Sequence, residues 1–102
     1  MTGANNLVTG CRTSLNGLIA PGFAAGITVF SGVPSASLYN TIDGNVSSGD
    51  RCGFFVDSTE NVIRRNIVQN SVNAPYDVSA MNQLAPIRSG YADAGPWDNF
   101  EF

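Results

Sequence analysis

The feature that most constrains this chain is a short phrase that recurs: an asparagine, one residue, an aliphatic, then a polar turn. It runs from Asn6 through Val8 to Cys11, from Asn40 through Ile42 to Asn45, and from Asn66 through Val68 to Asn70. A second phrase, glycine, then Ile or Phe, then any residue, then valine, occurs at Gly26–Val29 and Gly53–Val56. Recurrence of supersecondary units fixes an architecture before any single residue does. Apolar runs are short (Leu7-Val8, Ile27 to Phe30, Phe54 to Val56, Val62-Ile63, Ile67-Val68) and are punctuated by Gly, Asn, Ser, Asp or Pro. That is strand-and-turn grammar. No stretch sustains helical spacing; the nearest candidate, Val78 to Leu84, is short and flanked by Pro75 and Pro86.

The spacing sets the unit. Gly26 to Gly53 is 27 residues and Asn40 to Asn66 is 26. Three short strands and their turns consume about that many residues, at roughly 5 per strand. One unit is then one coil of a parallel β-helix, and coils stack about 4.8 Å apart. The interval from Asn6 to Asn40 is longer, 34 residues, so loops must bulge out, with Pro21 to Ala25 and Gly32 to Ser35 as the excursions. The expected fold is all-β: a single domain with stacked coils over 1–78, about three to four in number, and a tail over 79–102. An antiparallel β-sandwich is the alternative, in which case the repeated phrase is coincidence.

Stacking gives the asparagines a role. An inward Asn amide donates to the coil on one side and accepts from the coil on the other. The expected columns are Asn40 over Asn66, with Asn6, and Cys11, Asn45 and Asn70; Val8, Ile42 and Val68 form an aliphatic stack in the core. Surface turn residues are the bland alternative for these Asn. The sequon Asn45-Val-Ser47 is expected to be unmodified if Asn45 lies inside the ladder.

Composition removes several function classes. Net charge is −3, charged residues are 13% of the chain, and all five basic residues are Arg. There is no footprint for nucleic acid or an anionic membrane, and no apolar run approaches a membrane span. With no His, imidazole-based nucleophilic catalysis and His-containing zinc sites are excluded. Cys11 and Cys52 are too few for a four-thiolate zinc site; they are expected to be two buried free thiols, with one disulfide between them as the alternative. No cofactor is called for. The N-terminus lacks a signal-peptide pattern, which places a complete product inside the cell and says nothing of a fragment, so localisation stays open.

Between Glu60 and Asn70, where Asn61, Ile63, Asn66, Val68 and Asn70 mark the phrase, the chain resembles right-handed parallel β-helix proteins of the pectin-lyase-like superfamily, whose repeats run Asn-x-Ile-x-x-Asn. One residue fewer precedes Asn70 than that pattern has. Ala74 to Val78 resembles a last coil, Ala85 to Ile87 the departure from it, and Gly95 to Phe100 an aromatic tail. The resemblance implies a right-handed coil, a cap in which Trp97, Phe100 and Phe102 plug the open end, and carbohydrate as the ligand class; such proteins are often extracellular. This chain has far fewer coils than the enzymes of that group. An open first coil is an aggregation liability, so it is expected to be covered by residues 1–6, by a second copy or by upstream sequence.

Polysaccharide hydrolases of that fold use clustered carboxylates, and lyases an Arg base. The candidates here are Asp43, Asp57, Arg64 and Arg65. Each also fits a solvated turn, with the arginines pairing to Asp43 one coil away. A non-catalytic structural or binding module is therefore the expectation. The alternatives are a polysaccharide lyase or hydrolase, or a terminal piece of one, and a unit that self-associates end to end through its N-terminal coil.

Overall fold

In the computed structural model, which describes residues 1–16, 25–30, 38–92 and 94–102, twelve strands form and no helix does among the described residues. They are β1 (Leu7–Thr9), β2 (Arg12–Ser14), β3 (Ile27–Val29), β4 (Thr41–Asp43), β5 (Val46–Ser48), β6 (Cys52–Val56), β7 (Val62–Arg64), β8 (Ile67–Gln69), β9 (Ala74–Val78), β10 (Gln83–Leu84), β11 (Ile87–Arg88) and β12 (Asn99–Glu101). The expected excursion over Gly32 to Ser35, and all but Ala25 of the other, lie outside the described residues.

The strands make three sheets, ordered β1-β4-β7-β10, β11-β12-β8-β5-β2 and β3-β6-β9. Every pairing is parallel, which excludes an antiparallel sandwich. The chain visits the first, second and third sheets in turn, three times, and begins a fourth circuit at β10. Parallel neighbours cannot be joined by a tight hairpin; here the other two sheets supply each crossover.

The circuit length corrects the expected register. Asn40 pairs with Asn61 and Asn45 with Asn66, each 21 residues on. The expected partners, Asn66 for Asn40 and Asn70 for Asn45, are one corner too far. The second and third circuits have asparagine corners five residues apart (Asn40 and Asn45, Asn61 and Asn66), and in the third both corners open an Asn-x-aliphatic phrase. The phrase at Asn66 therefore belongs to the second corner, and the missing residue before Asn70 marks the misfit. Asn70 itself is exposed.

The same correction splits the aliphatic stack. Val8, Ile42, Ile63 and Leu84 are in register along the first sheet, whereas Val68 lies on the second sheet over Ser47. Ile42 and Val68 still meet in one core, built from Val29, Ile42, Phe54, Val56, Ile63 and Val68 with Met1, Ile27, Tyr76 and Val78 packed on it. Burying each such side chain contributes about 1.5–3 kcal/mol. The glycine phrases do align, since Ile27 faces Phe54 and Val29 faces Val56.

A rule of corner geometry accompanies this. Seven non-glycine residues have φ between 53° and 70°: Asn5, Leu15, Tyr39, Glu60, Arg65, Asn70 and Met81. Each stands immediately before a corner residue, as do Gly10, Gly44 and Gly49. The left-handed residue turns the chain inward, and the next side chain points into the ladder. The conformation costs roughly 1 kcal/mol per non-glycine residue, so the ladder contacts must offset it.

At the N-terminal edge, the Met1 ammonium donates to the Thr28 carbonyl at 2.6 Å and the Phe30 N–H donates to the Met1 carbonyl at 2.9 Å. Met1 thereby occupies the outer edge of β3. β1 and β2 stand at the edges of their sheets. At the other end residues 79–102 add strands to the same sheets: β10 continues the first, and β12 enters the second between β8 and β11.

Candidate functional site

Two buried amide columns fix the walls on which candidate side chains sit. In the first, the Asn6 Nδ2 donates to Asn40 Oδ1 at 3.1 Å, Asn40 to Asn61 at 3.0 Å and Asn61 to Asn82 at 3.1 Å. In the second, the Cys11 backbone N–H donates to Asn45 Oδ1 at 2.9 Å, Asn45 Nδ2 to Asn66 at 3.1 Å and Asn66 to Asn99 at 3.1 Å. Each acceptor oxygen also takes the backbone N–H of the residue above it, as Asn61 Oδ1 does from Asn40. Asn61, though it marks the repeated phrase, was not assigned to the ladder from sequence, nor were Asn82 and Asn99; the five-residue corner spacing would have placed Asn61, and the 21-residue step Asn82.

A third corner uses acid in place of amide. Asp50 is fully buried and accepts from the Asn16 N–H at 2.7 Å, Asn16 Nδ2 at 2.8 Å, Thr13 Oγ1 at 2.7 Å and Ser47 Oγ at 2.5 Å. Burial alone would raise its pKa, but the hydrogen bonds from Ser47, Asn16 and Thr13 together hold it below the ordinary carboxylate value. All four neighbours are donors, so a carboxylate fits where an amide would have to donate.

Three of the four candidate catalytic residues converge. Asp43 ends β4 opposite Arg64 in register on β7. Its Oδ2 receives Arg64 Nε at 3.0 Å and Arg65 Nη2 at 2.7 Å, and its Oδ1 receives Arg65 Nε at 2.6 Å. Asp43 is buried, while Arg64 and Arg65 are 37% and 50% exposed along their side chains. The hydrogen bond from Arg65, then that from Arg64, carries the Asp43 pKa below its usual value against the opposing effect of burial. The guanidinium carbons of Arg64 and Arg65 lie 4.6 and 5.2 Å from the centre of the Trp97 ring, and the Arg65 N–H donates to the Trp97 carbonyl at 3.1 Å. Two cations over one indole clamp the returning tail onto the second and third circuits. Both carboxylate oxygens are occupied by guanidinium donors.

The fourth candidate is elsewhere. Asp57 follows β6 on the third sheet and is exposed. Glu60 and Asp77 are exposed on other parts of the surface. Among the described residues no three His, Cys, Asp or Glu side chains gather as a metal site, and no helix is long and apolar enough to cross a membrane.

The aromatic tail departs from the expected plug. Trp97 and Phe102 are about half exposed, and neither they nor Phe100 pack on the core. Phe100 is in register with Ile67, which alternates with the inward Asn66 and Val68 and so faces outward. There it forms an outer group with Phe102, 6.0 Å away, and Tyr91, 5.0 Å away. The end is instead continued by backbone, with Asn99 as the next rung of the ladder. Inside, Phe54 stacks on Tyr76 at 5.3 Å. The Tyr76 hydroxyl lies 3.0 Å from the Asn66 carbonyl oxygen and 2.9 Å from that of Phe100, and burial raises its pKa.

The thiols also differ from expectation. Both are free, but only Cys52 is buried; Cys11 is exposed, on the first circuit beside β2, which is the edge strand of its sheet among the described residues. Burial, then the nearby Asp77 charge, raises the Cys52 pKa. No family model matches this chain, and neither the search of curated proteins nor that of solved structures gave a significant match.

Proposed function

We propose that this chain is a short right-handed parallel β-helix of the pectin-lyase-like type, acting as a non-catalytic module: a rigid scaffold whose outer faces bind, with carbohydrate as the ligand class its resemblance suggests. Three circuits through three parallel sheets support the coil, and the general preference of parallel crossovers supports its hand. The observation that carries the functional reading is the state of Asp43. Among the described residues, candidate acid and base residues meet at Asp43, where both carboxylate oxygens are held by two arginines that also clamp the tail, an arrangement that suits an architectural role. Incubation with polygalacturonan and other acidic and neutral polysaccharides, followed by assay of new reducing ends and unsaturated products, should give no turnover, and a glycan array should give retention. Turnover abolished by Arg65→Ala would refute the reading.

A second reading, end-to-end self-association, is favoured by the N-terminal edge. Leu7 and Leu15 are 65% and 69% exposed there, and Val8 is half-buried above the sealed Ile42 and Ile63. A second copy stacked on β1 and β2 would cover them. Light scattering across a concentration series tests it, and a monomer throughout excludes it.

A further inference from the structure

The two ends of the sheets are not level. The third sheet stops at β9, whereas the second continues past β8 by two strands, β12 and β11. The step leaves a cleft of about 420 Å³, within the size range of small-ligand sites. Pro75 and Phe102 give it apolar walls over the sealed Val68, Ser71 and Ser89 contribute hydroxyls, and Glu101 contributes a carboxylate. Glu101 is half-buried, and among the described residues it has no ion-pair partner. Its register partner is Val68, so the charge sits directly beside an apolar side chain of the core.

The Glu101 carboxylate is only partly buried and is engaged by no cation among the described residues, so it is available to one. The walls select the kind of cation. A compact hydrated metal ion would gain nothing from Pro75 and Phe102. An ammonium or guanidinium on an alkyl stem would bury the stem along them, place its charge on Glu101, and leave the hydroxyls for its remaining N–H groups. The net charge of −3 favours the approach of cations over anions.

We infer that this cleft is a binding site for an alkylammonium or alkylguanidinium group, borne either by a small amine or by a lysine or arginine side chain of another protein. It is independent of Asp43, Arg64 and Arg65, and it does not require the carbohydrate reading.

Nuclear magnetic resonance titration with butylammonium and with agmatine at constant ionic strength tests the inference. Saturable shifts are expected at Val68, Ser71, Ser89 and Glu101, with a Kd of about 1 mM for so small a ligand. Glu101→Gln should weaken both ligands about tenfold or more, the loss expected for a charged hydrogen bond, and should leave the weak response to neutral 1-butanol unchanged. Phe102→Ala, read in the same way, should weaken them independently of charge. A peptide with one central lysine that binds tenfold tighter than butylammonium assigns the group to a protein partner; equal affinity assigns it to a small amine. Absence of saturation well above 1 mM, or equal binding by a folded Glu101→Gln chain, overturns the site.

Discussion

Exchanging acid and amide between two ladder corners should have opposite consequences. At Asn66, the Nδ2 donates to the Ile42 carbonyl at 2.9 Å and to Asn99 Oδ1 at 3.1 Å, while Oδ1 accepts from the Asn45 N–H and Nδ2. Asn66→Asp is isosteric, yet it sets a carboxylate oxygen against two buried acceptors. Leaving a buried group unsatisfied costs about 1–3 kcal/mol, so two such contacts cost about 3–5 kcal/mol before any charge burial. That is a large share of the roughly 5–15 kcal/mol by which a domain of this kind is stable. At Asp50 the reverse exchange is mild. Asp50→Asn keeps one acceptor for the Asn16 donors, and the Thr13 and Ser47 hydroxyls rotate to accept from the new amide. The charge-assisted part of four bonds is lost, and the lighter desolvation of a neutral amide offsets much of it, leaving a net cost of about 1–2 kcal/mol. Urea unfolding at pH 7, followed by the fluorescence of the single Trp and by circular dichroism, measures both. The Asn66→Asp deficit should shrink on acidification, because a protonated acid regains one donor. An Asn66→Asp chain within about 1 kcal/mol of the parent, or an Asp50→Asn chain hurt more than it, would refute the account of the ladder.

Wild-type stability should fall in acid, because Asp43, Asp50 and Asp98 have lowered pKa values in the folded state. Their contribution is complete above the unfolded value of about 3.9 and is lost as pH drops through the folded ones; melting temperature against pH reads this, and Asp50→Asn should flatten the acid limb. Tyr76, with a raised pKa, contributes below an unfolded value of about 10 and ceases to do so as pH rises beyond it, so tyrosinate absorbance and unfolding should appear together in alkali. Gly53→Ala should destabilise by about 1–3 kcal/mol, because a Cβ there would meet the Pro75 carbonyl and lie 2.5 Å from Val68 Cγ2; an unchanged midpoint in urea would contradict the close approach of the second and third sheets. A thiol reagent should modify Cys11 at once and Cys52 only on unfolding, and two fast thiols would place Cys52 at the surface.

What the sequence made legible was periodic. Parallel stacking, the alignment of Gly26 with Gly53 and of Asn6 with Asn40, and the inward asparagines all follow from residues that repeat. The register between the second and third circuits did not follow, because the Asn-x-aliphatic phrase fits two corners of one circuit equally well. Only the spacing of five between Asn61 and Asn66, matched to Asn40 and Asn45, separates them. Asp50 was hidden because a buried carboxylate in a corner reads as a solvated turn. The meeting of Arg64 and Arg65 with Asp43 was foreseeable from adjacent circuits, but Trp97 beneath them depends on the path of the tail. That path has no periodic signal. The Glu101 cleft shares this origin, since it exists only because β12 is laid beside β8.

The insertion of β12 imposes an order on assembly. β11 precedes β12 in the chain, yet its partner in the sheets is β12 itself, which in turn rests on β8. Residues 87–88 thus have no place to dock until a later segment has arrived. Their amides should exchange with deuterium as one cooperative unit with those of 99–101, and trimming the tail before Asn99 should release β11 as well and bare the edge of β8 to any other extended chain.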